Sequence, residues 1–364
     1  MLTPCAMTKP MLLAEFTRLP SPTRASVLDG LSGAIDTVAE AAPVPQCFLR
    51  YQWYAAALEA YGGAARTIVV EDDDEAVIAL PFVGVGPALA RVAMVPGCYW
   101  PFRSFPMHAR VAPRAVDALL DTLGRSVNAL RIGPVCDGDA SLAGVLERAR
   151  AKGWAVLDRF VADSFVLDVT QEDWPRGSTL RKNRFHEKHL ADHGALDWRF
   201  VGAGEWDVAF DAFALVEGRS WIGAKTDGRD AKFTRTGHGA FWRAAARDPE
   251  LAGMMSAALL TIKGVPSAFS FDLDCGATRY AIANSYDPAV ARHSPGKLLA
   301  YRNLVRAKAA GIRTVDWGAG DSGYKQTLGA VQGPALRDWL LVRPGISAGV
   351  ARLLKGRWSA SGQG

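Results

Sequence analysis

Two short segments late in the chain carry residue types that could hold an anion and move protons. The first is Tyr286-Asp287-Pro288, followed by Arg292-His293-Ser294-Pro295-Gly296-Lys297. Ser294 suits a helix N-cap, and Pro295 suits the first helical position, where its missing N–H would be unpaired anyway. Gly296 has no side chain to keep an anion from the free N–H groups of the first turn, and Lys297 adds a positive charge. Leu298, Tyr301, Val305 and Ala309 then share one face. A strand feeding such a helix is a fair phosphate site, though an ordinary helix start reads the same way.

The second segment is Asp316-Trp317-Gly318-Ala319-Gly320-Asp321-Ser322-Gly323-Tyr324-Lys325. Gly318, Gly320 and Gly323 match a G-x-G-x-x-G dinucleotide loop. That loop needs a parallel sheet upstream and a long helix downstream, whereas Gly329 interrupts here and the preceding strands read as a meander. A dinucleotide site is therefore discounted. Asp316 at a strand end, with Tyr324 and Lys325 just after it, remains as a polar group.

Other constellations are weaker. His186, His189 and His193 recur at helical spacing, but without H-E-x-x-H or an outside carboxylate a solvated basic face is favoured over a metal site. Arg181, Lys182, Arg184 and Lys188 on the same helix could meet a phosphate, an anionic lipid or RNA. Cys98 has no apparent base partner and reads as a buried thiol. The five cysteines are scattered and form no Cys-x-x-Cys pair, which points to reduced thiols in a cytoplasmic protein.

The positioning elements repeat. A helix over Cys47–Tyr61 precedes strands over 65–70, 76–83 and 89–95, a helix over 111–123 and a strand over 130–135. From Trp206 the order recurs: helices over 206–216 and 241–247, a meander over 256–263, 267–273 and 278–285, a helix over 297–310 and a strand over 312–317. We read a structural duplication with a loose arm over 1–40, domains over 41–165 and 166–342, and a tail over 343–364. Within the arm a short helix is expected over 27–39. The fold class is α+β, each domain a mixed, mostly antiparallel sheet flanked by helices.

The chain has 364 residues, long enough for two domains. Its eleven tryptophans suggest deep cores or apolar ligand walls. A net charge of +5 favours anionic partners only mildly, and suits neither an RNA-sized surface nor specific nucleic-acid binding. The longest uncharged run, Ala76–Ala90, is too short and too broken by Pro and Gly to span a bilayer. Nor does the N-terminus read as a secretory signal.

Together Tyr286-Asp287-Pro288, Ser294-Pro295-Gly296, Asp316-x-Gly-x-Gly-Asp321 and Tyr324-Lys325 resemble the CelD-related acyl-CoA acyltransferases of the GNAT superfamily. The basic helix over 180–188, and Trp221 just after an amphipathic helix, also resemble that family. The likeness covers about 168–330 well and the first half loosely. Its members resemble two tandem GNAT folds, as do the Fem peptidyltransferases. The usual superfamily phosphate loop is absent, which leaves the CoA contacts open.

The resemblance implies N-acyl transfer from acyl-CoA, a co-substrate and not a resident cofactor, with no metal. Such a reaction needs a base for the amine proton, N–H donors for the oxyanion and an acid for the leaving thiolate. It implies Tyr324 as the acid. Asp316 is the first base candidate, equally readable as a turn cap, with Glu217 and His293 as runners-up. Ser294, Gly296, Lys297 and Lys325 would hold CoA, and Trp221, Tyr286 and Arg181 would meet the acceptor. For the acceptor we lean to a lipidic, sphingoid-type amine, as in relatives that resemble bacterial ceramide synthases. An amino sugar, a Fem-type aminoacyl donor and a non-catalytic acyl-CoA or lipid-binding protein are the alternatives. The tail over 343–358 sets Ile346, Val350, Leu353 and Leu354 against Arg352 and Lys355, so it suits docking at the inner membrane face as well as packing on the domain.

Overall fold

The computed structural model describes residues 22–360, apart from 173, 203, 226, 321, 322 and 354. One lobe comprises β1 (Arg24–Asp29), α1 (Ala34–Glu40), α2 (Tyr51–Tyr61), β2 (Ala65–Asp72), β3 (Glu75–Val85), β4 (Val92–Met94), α3 (Pro113–Ser126), β5 (Ala129–Cys136) and α4 (Ala140–Ala151). After β6 (Ala155–Asp168) come α5 (Gly177–Leu190), β7 (Leu196–Phe200), α6 (Trp206–Arg219), α7 (Trp221–Lys225), α8 (Gly239–Ala245) and α9 (Pro249–Met254). The second lobe is completed by β8 (Met255–Ile262), β9 (Val265–Cys275), β10 (Thr278–Tyr286), α10 (Pro295–Ala309), β11 (Thr314–Ala319) and α11 (Tyr324–Thr327). β12 (Val331–Val342), α12 (Ile346–Leu353) and α13 (Lys355–Ala360) end the chain.

All the strands join one twelve-stranded sheet in the order β1-β2-β3-β4-β5-β12-β6-β11-β10-β9-β8-β7. The duplication is visible in that order, because each half runs outward from the centre. Two neighbouring pairs are parallel, β4 with β5 and β10 with β11; the other pairs are antiparallel. The central strands are exchanged. β6 follows β5 in sequence but lies between β12 and β11, while β12 follows β11 but lies beside β5. The expected division between 165 and 166 thus falls inside a strand.

Those two strands escaped the sequence reading because they are charged. Asp338 on β12 receives Arg131 of β5 and Arg159 of β6, and Arg337 reaches Asp137 and Asp158. Charges that read as solvated are matched across neighbouring strands, where pairing offsets the cost of burying them.

The helix expected over 27–39 is a strand and a shorter helix. Residues 24–29 pair antiparallel with β2 as the sheet edge, and α1 follows. The rest of the expected arm, residues 1–21, lies outside the described residues. The lobes share their core: Trp53 packs edge-on against Phe241 and Trp242, and Phe102 against Tyr280. Trp53 and Trp242 therefore help to bind the lobes together, while Trp221 and Trp317 line a cavity. The described part of the tail packs on the sheet. Ala348 is buried with Ala129, Ala155 and Val342, Trp358 lies under Arg159, and Ser359 bonds the Asp158 carbonyl. Leu354 lies outside the described residues.

Candidate active site

β10 and β11 pair only over Thr278–Tyr280 and Thr314–Asp316. β10 then runs on to Tyr286, held by β9 on its other side through a bulge at Ala281–Ala283, while β11 follows β6. The two strands diverge, and a cavity of about 740 Å³ opens between them. Its wall is the segment 281–286, opposite Trp317. Past Tyr280 no strand among the described residues partners this edge of β10, which leaves backbone groups for a ligand apart from the Ile282 carbonyl, taken by the Tyr99 hydroxyl.

At one end stands the N-terminus of α10. Ser294 and Lys297 line the cavity there. Ser294 is not the side-chain cap its position suggested: it has φ 51° and ψ 47° and makes no capping bond. Gly296 serves packing as well. A Cβ there would lie 2.7 Å from both Asn284 Oδ1 and Tyr286 Cδ1, and Asn284 Nδ2 donates to the Gly296 carbonyl. Burial and the neighbouring Lys182 lower the Lys297 ammonium's hold on its proton. Asp287 of the same motif caps the turn before the helix, accepting from Ala289 N and meeting Arg219.

Glu217 stands at the other end. It is buried, lines the cavity, and accepts the N–H groups of Lys232 and Phe233, each at 2.8 Å. Burial raises its proton affinity, and those two N–H groups hold the rise in check. Asp230 and Lys232 share this end. Burial lowers the Lys232 pKa, and its ammonium sits 3.9 Å from the ring centre of Tyr99, which reaches across from the first lobe to the Ile282 carbonyl. Trp221 and Tyr286 stand exposed on the rim.

The other expected residues have different surroundings. Asp316 is buried and does not line the cavity; its Oδ1 accepts the Gly318 N–H at 2.8 Å, and burial pushes its carboxyl up to about 6. That geometry is the turn cap. Lys325 also lines the cavity, and its ammonium donates to the carbonyls of Trp317, Gly318, Ala319 and Gly320, so it braces the glycine turn. His293 faces His193 at 3.1 Å and receives Arg292 Nε, away from the cavity lining, and burial lowers its pKa. Arg181 lies in an adjoining pocket of about 460 Å³ with Lys182, Phe185 and Lys297. Tyr324 opens α11 next to Lys325; its side chain lies outside the described atoms.

Sequence reasoning missed Lys232 and Ser285. Ser285 lines the cavity with a buried hydroxyl that has no hydrogen-bond partner. Its exposure to the cavity follows from the divergence of two strands, which no local pattern announces. Lys232 lies in a loop whose position depends on the remote carboxylate of Glu217. Among the described residues no three His, Cys, Asp or Glu side chains group as metal ligands, and no helix is long and apolar enough to cross a membrane.

Comparisons with known proteins bear on the fold and the family. A family model described as an acetyltransferase (GNAT) domain matches residues 177–326, which include the basic helix, Glu217, the meander and the turn at Lys325. No curated protein matches the sequence. Among solved structures, FemX is 11% identical with a TM-score of 0.57, over 88% of this chain and 97% of its own. The C-terminal domain of a putative lysylphosphatidylglycerol synthetase from Agrobacterium fabrum is 13% identical with a TM-score of 0.51, over 90% and 94%. L-PGS from Bacillus licheniformis is 12% identical with a TM-score of 0.50, over 84% and 96%. At such identities the likeness is one of fold. Residues 177–326 are an acetyltransferase domain of the GNAT type within a double-lobed α+β fold, and the chain is an N-acyltransferase.

Proposed function

We propose that the enzyme moves an acyl group from acyl-CoA to the amine of a long-chain, sphingoid-type lipid. The observation that carries this reading is one cavity lined both by a helix N-terminus with Lys297 and by Glu217 and Asp230 beside Lys232. The helix N-terminus suits the phosphates of CoA, the carboxylates a cationic amine. The thioester would lie along the unpaired edge of β10, whose N–H groups, with the Ser285 hydroxyl, are placed to stabilise an oxyanion. The bound ammonium first loses one proton to solvent; Glu217 takes a second as the amine nitrogen bonds to the carbonyl carbon, and the carbon–sulfur bond breaks as the thiolate leaves. Tyr324, in its place after β11, is the proposed acid for that thiolate. Trp221 and Tyr286 on the rim suit an apolar acceptor.

One structural relative, the putative lysylphosphatidylglycerol synthetase, is named for a lipid, which supports a lipidic acceptor over an amino sugar. The test is thiol release from acyl-CoAs of graded chain length, with a sphingoid base, an amino sugar or no acceptor. Release dependent on the sphingoid base, with the amide found by mass spectrometry, is the expected result. Release with the amino sugar alone would replace the acceptor, and CoA binding without release would make this a binding protein.

A further inference from the structure

We propose that the face built by α5 and α10 docks the enzyme on an anionic membrane. The two helices carry eight lysines and arginines against one carboxylate, Glu187, so their net charge exceeds the +5 of the whole chain and leaves the remainder slightly acidic. Among the described residues, Arg181, Lys182, Arg184 and Lys188 make no ion pair, while Glu187 is taken by Arg302. Charge of one sign concentrated on two adjacent helices, with a single carboxylate among it, fits a polyanionic surface.

Apolar side chains stand among these cations. Phe185 is 60% exposed, and Leu180, Phe200 and Val305 are exposed around a groove of about 430 Å³ between α5 and α10. Arg306 lies over the Phe200 ring at 4.3 Å. RNA would use aromatic faces but gains little from Leu180 and Val305, whereas a bilayer interface takes both kinds. The face also adjoins the active site, since Lys297 lines both the main cavity and the pocket on α5. A membrane-borne amine could therefore enter without leaving the bilayer surface. The tail, packed on β6, is not needed.

The experiment is sedimentation of the full chain with phosphatidylcholine vesicles, with and without phosphatidylglycerol, and no acyl donor. Its failure is thus separate from failure of the acyl-transfer reading. Binding is expected only with phosphatidylglycerol. R184E/K188E should weaken it at least about twentyfold, since each cation near such a surface contributes about fivefold. Phe185→Ser, at an exposed site, should weaken the fraction that survives high salt, where charge is screened. Leu353→Glu in the exposed part of the tail should bind as the wild type does. Equal sedimentation with both vesicles overturns the proposal, as does loss in Leu353→Glu with retention in R184E/K188E. Salt-sensitive binding of transfer RNA with no vesicle binding overturns it in favour of a nucleic-acid surface.

Discussion

The two lobes contain the same device and use it differently. In each, a parallel strand pair forms over three residues, β4 with β5 and β10 with β11. In the second lobe the strands then part around a cavity. In the first, the chain after β4 turns back and fills the gap. Arg103 exchanges backbone bonds with Gly133 and Pro134 of β5, and the Pro106 carbonyl and His108 N–H bond to Ala79 and Val77 of β3. Trp100, Phe102 and Phe105 are buried on this plug. One copy has become a support, and its plug carries Tyr99 to the Ile282 carbonyl and Trp100 against Tyr280 of the other lobe.

The largest expected effect tests which gap works. Glu217→Gln should lower turnover by about a hundred- to ten-thousandfold, the usual worth of a general base. Because burial raises the Glu217 pKa, the wild-type rate should fall on acidification at a pH above the ordinary glutamate range. That limb should vanish in the variant. Turnover near wild type would shift the base to Lys232, whose proton is loosened by burial.

In the plug the cost should be stability. Phe105→Ala removes a buried ring and should cost about 3–5 kcal/mol by denaturant unfolding, with CoA affinity of the folded protein unchanged. A loss of CoA affinity at unchanged stability would mean that the first lobe binds donor.

Asp316 separates support from chemistry inside the second lobe. Its carboxyl, raised to about 6 from 3.8, binds a proton more tightly in the folded state than in the unfolded chain. Its contribution to stability is therefore present below pH 3.8 and is lost as pH rises through 6. Asp316→Asn keeps an acceptor for the Gly318 N–H. It should remove a pH-dependent change of about 2–3 kcal/mol across that window, with turnover close to wild type. A large fall in turnover would restore Asp316 as the base.

Local devices were legible in the sequence. The meander at 255–286, the helix opened by Pro295 and the Glu217 helix follow from periodicity and turn residues, and the repeat followed from their order. What was not legible depends on distant partners. β6 and β12 are strands because Arg131, Arg159 and Asp338 meet across them. Lys325 is structural because four carbonyls of one turn converge on it. The plug looks like any aromatic loop until β3 and β5 are seen on either side of it.

The smallest effect concerns the helices that follow the two gaps. α3 and α10 both begin on proline, and each has a cation in its first turn, Arg114 or Lys297. In the first lobe that cation is neutralised: Arg114 meets Asp72 at 2.7 Å and Asp73 at 3.1 Å. In the second, Lys297 has no carboxylate partner among the described residues, and Lys182 is its charged neighbour. A cation left unpaired at a helix N-terminus beside a like charge raises the local potential, which favours an anion there. Lys297→Glu should weaken CoA binding about tenfold to a hundredfold, the worth of one charge-assisted hydrogen bond. Arg114→Glu, which breaks exposed ion pairs of small value, should leave CoA affinity unchanged. Calorimetric titration of both variants with CoA reads this difference directly. Equal affinities would remove the α10 terminus from the donor site, and a loss confined to Arg114→Glu would move that site to the plugged lobe.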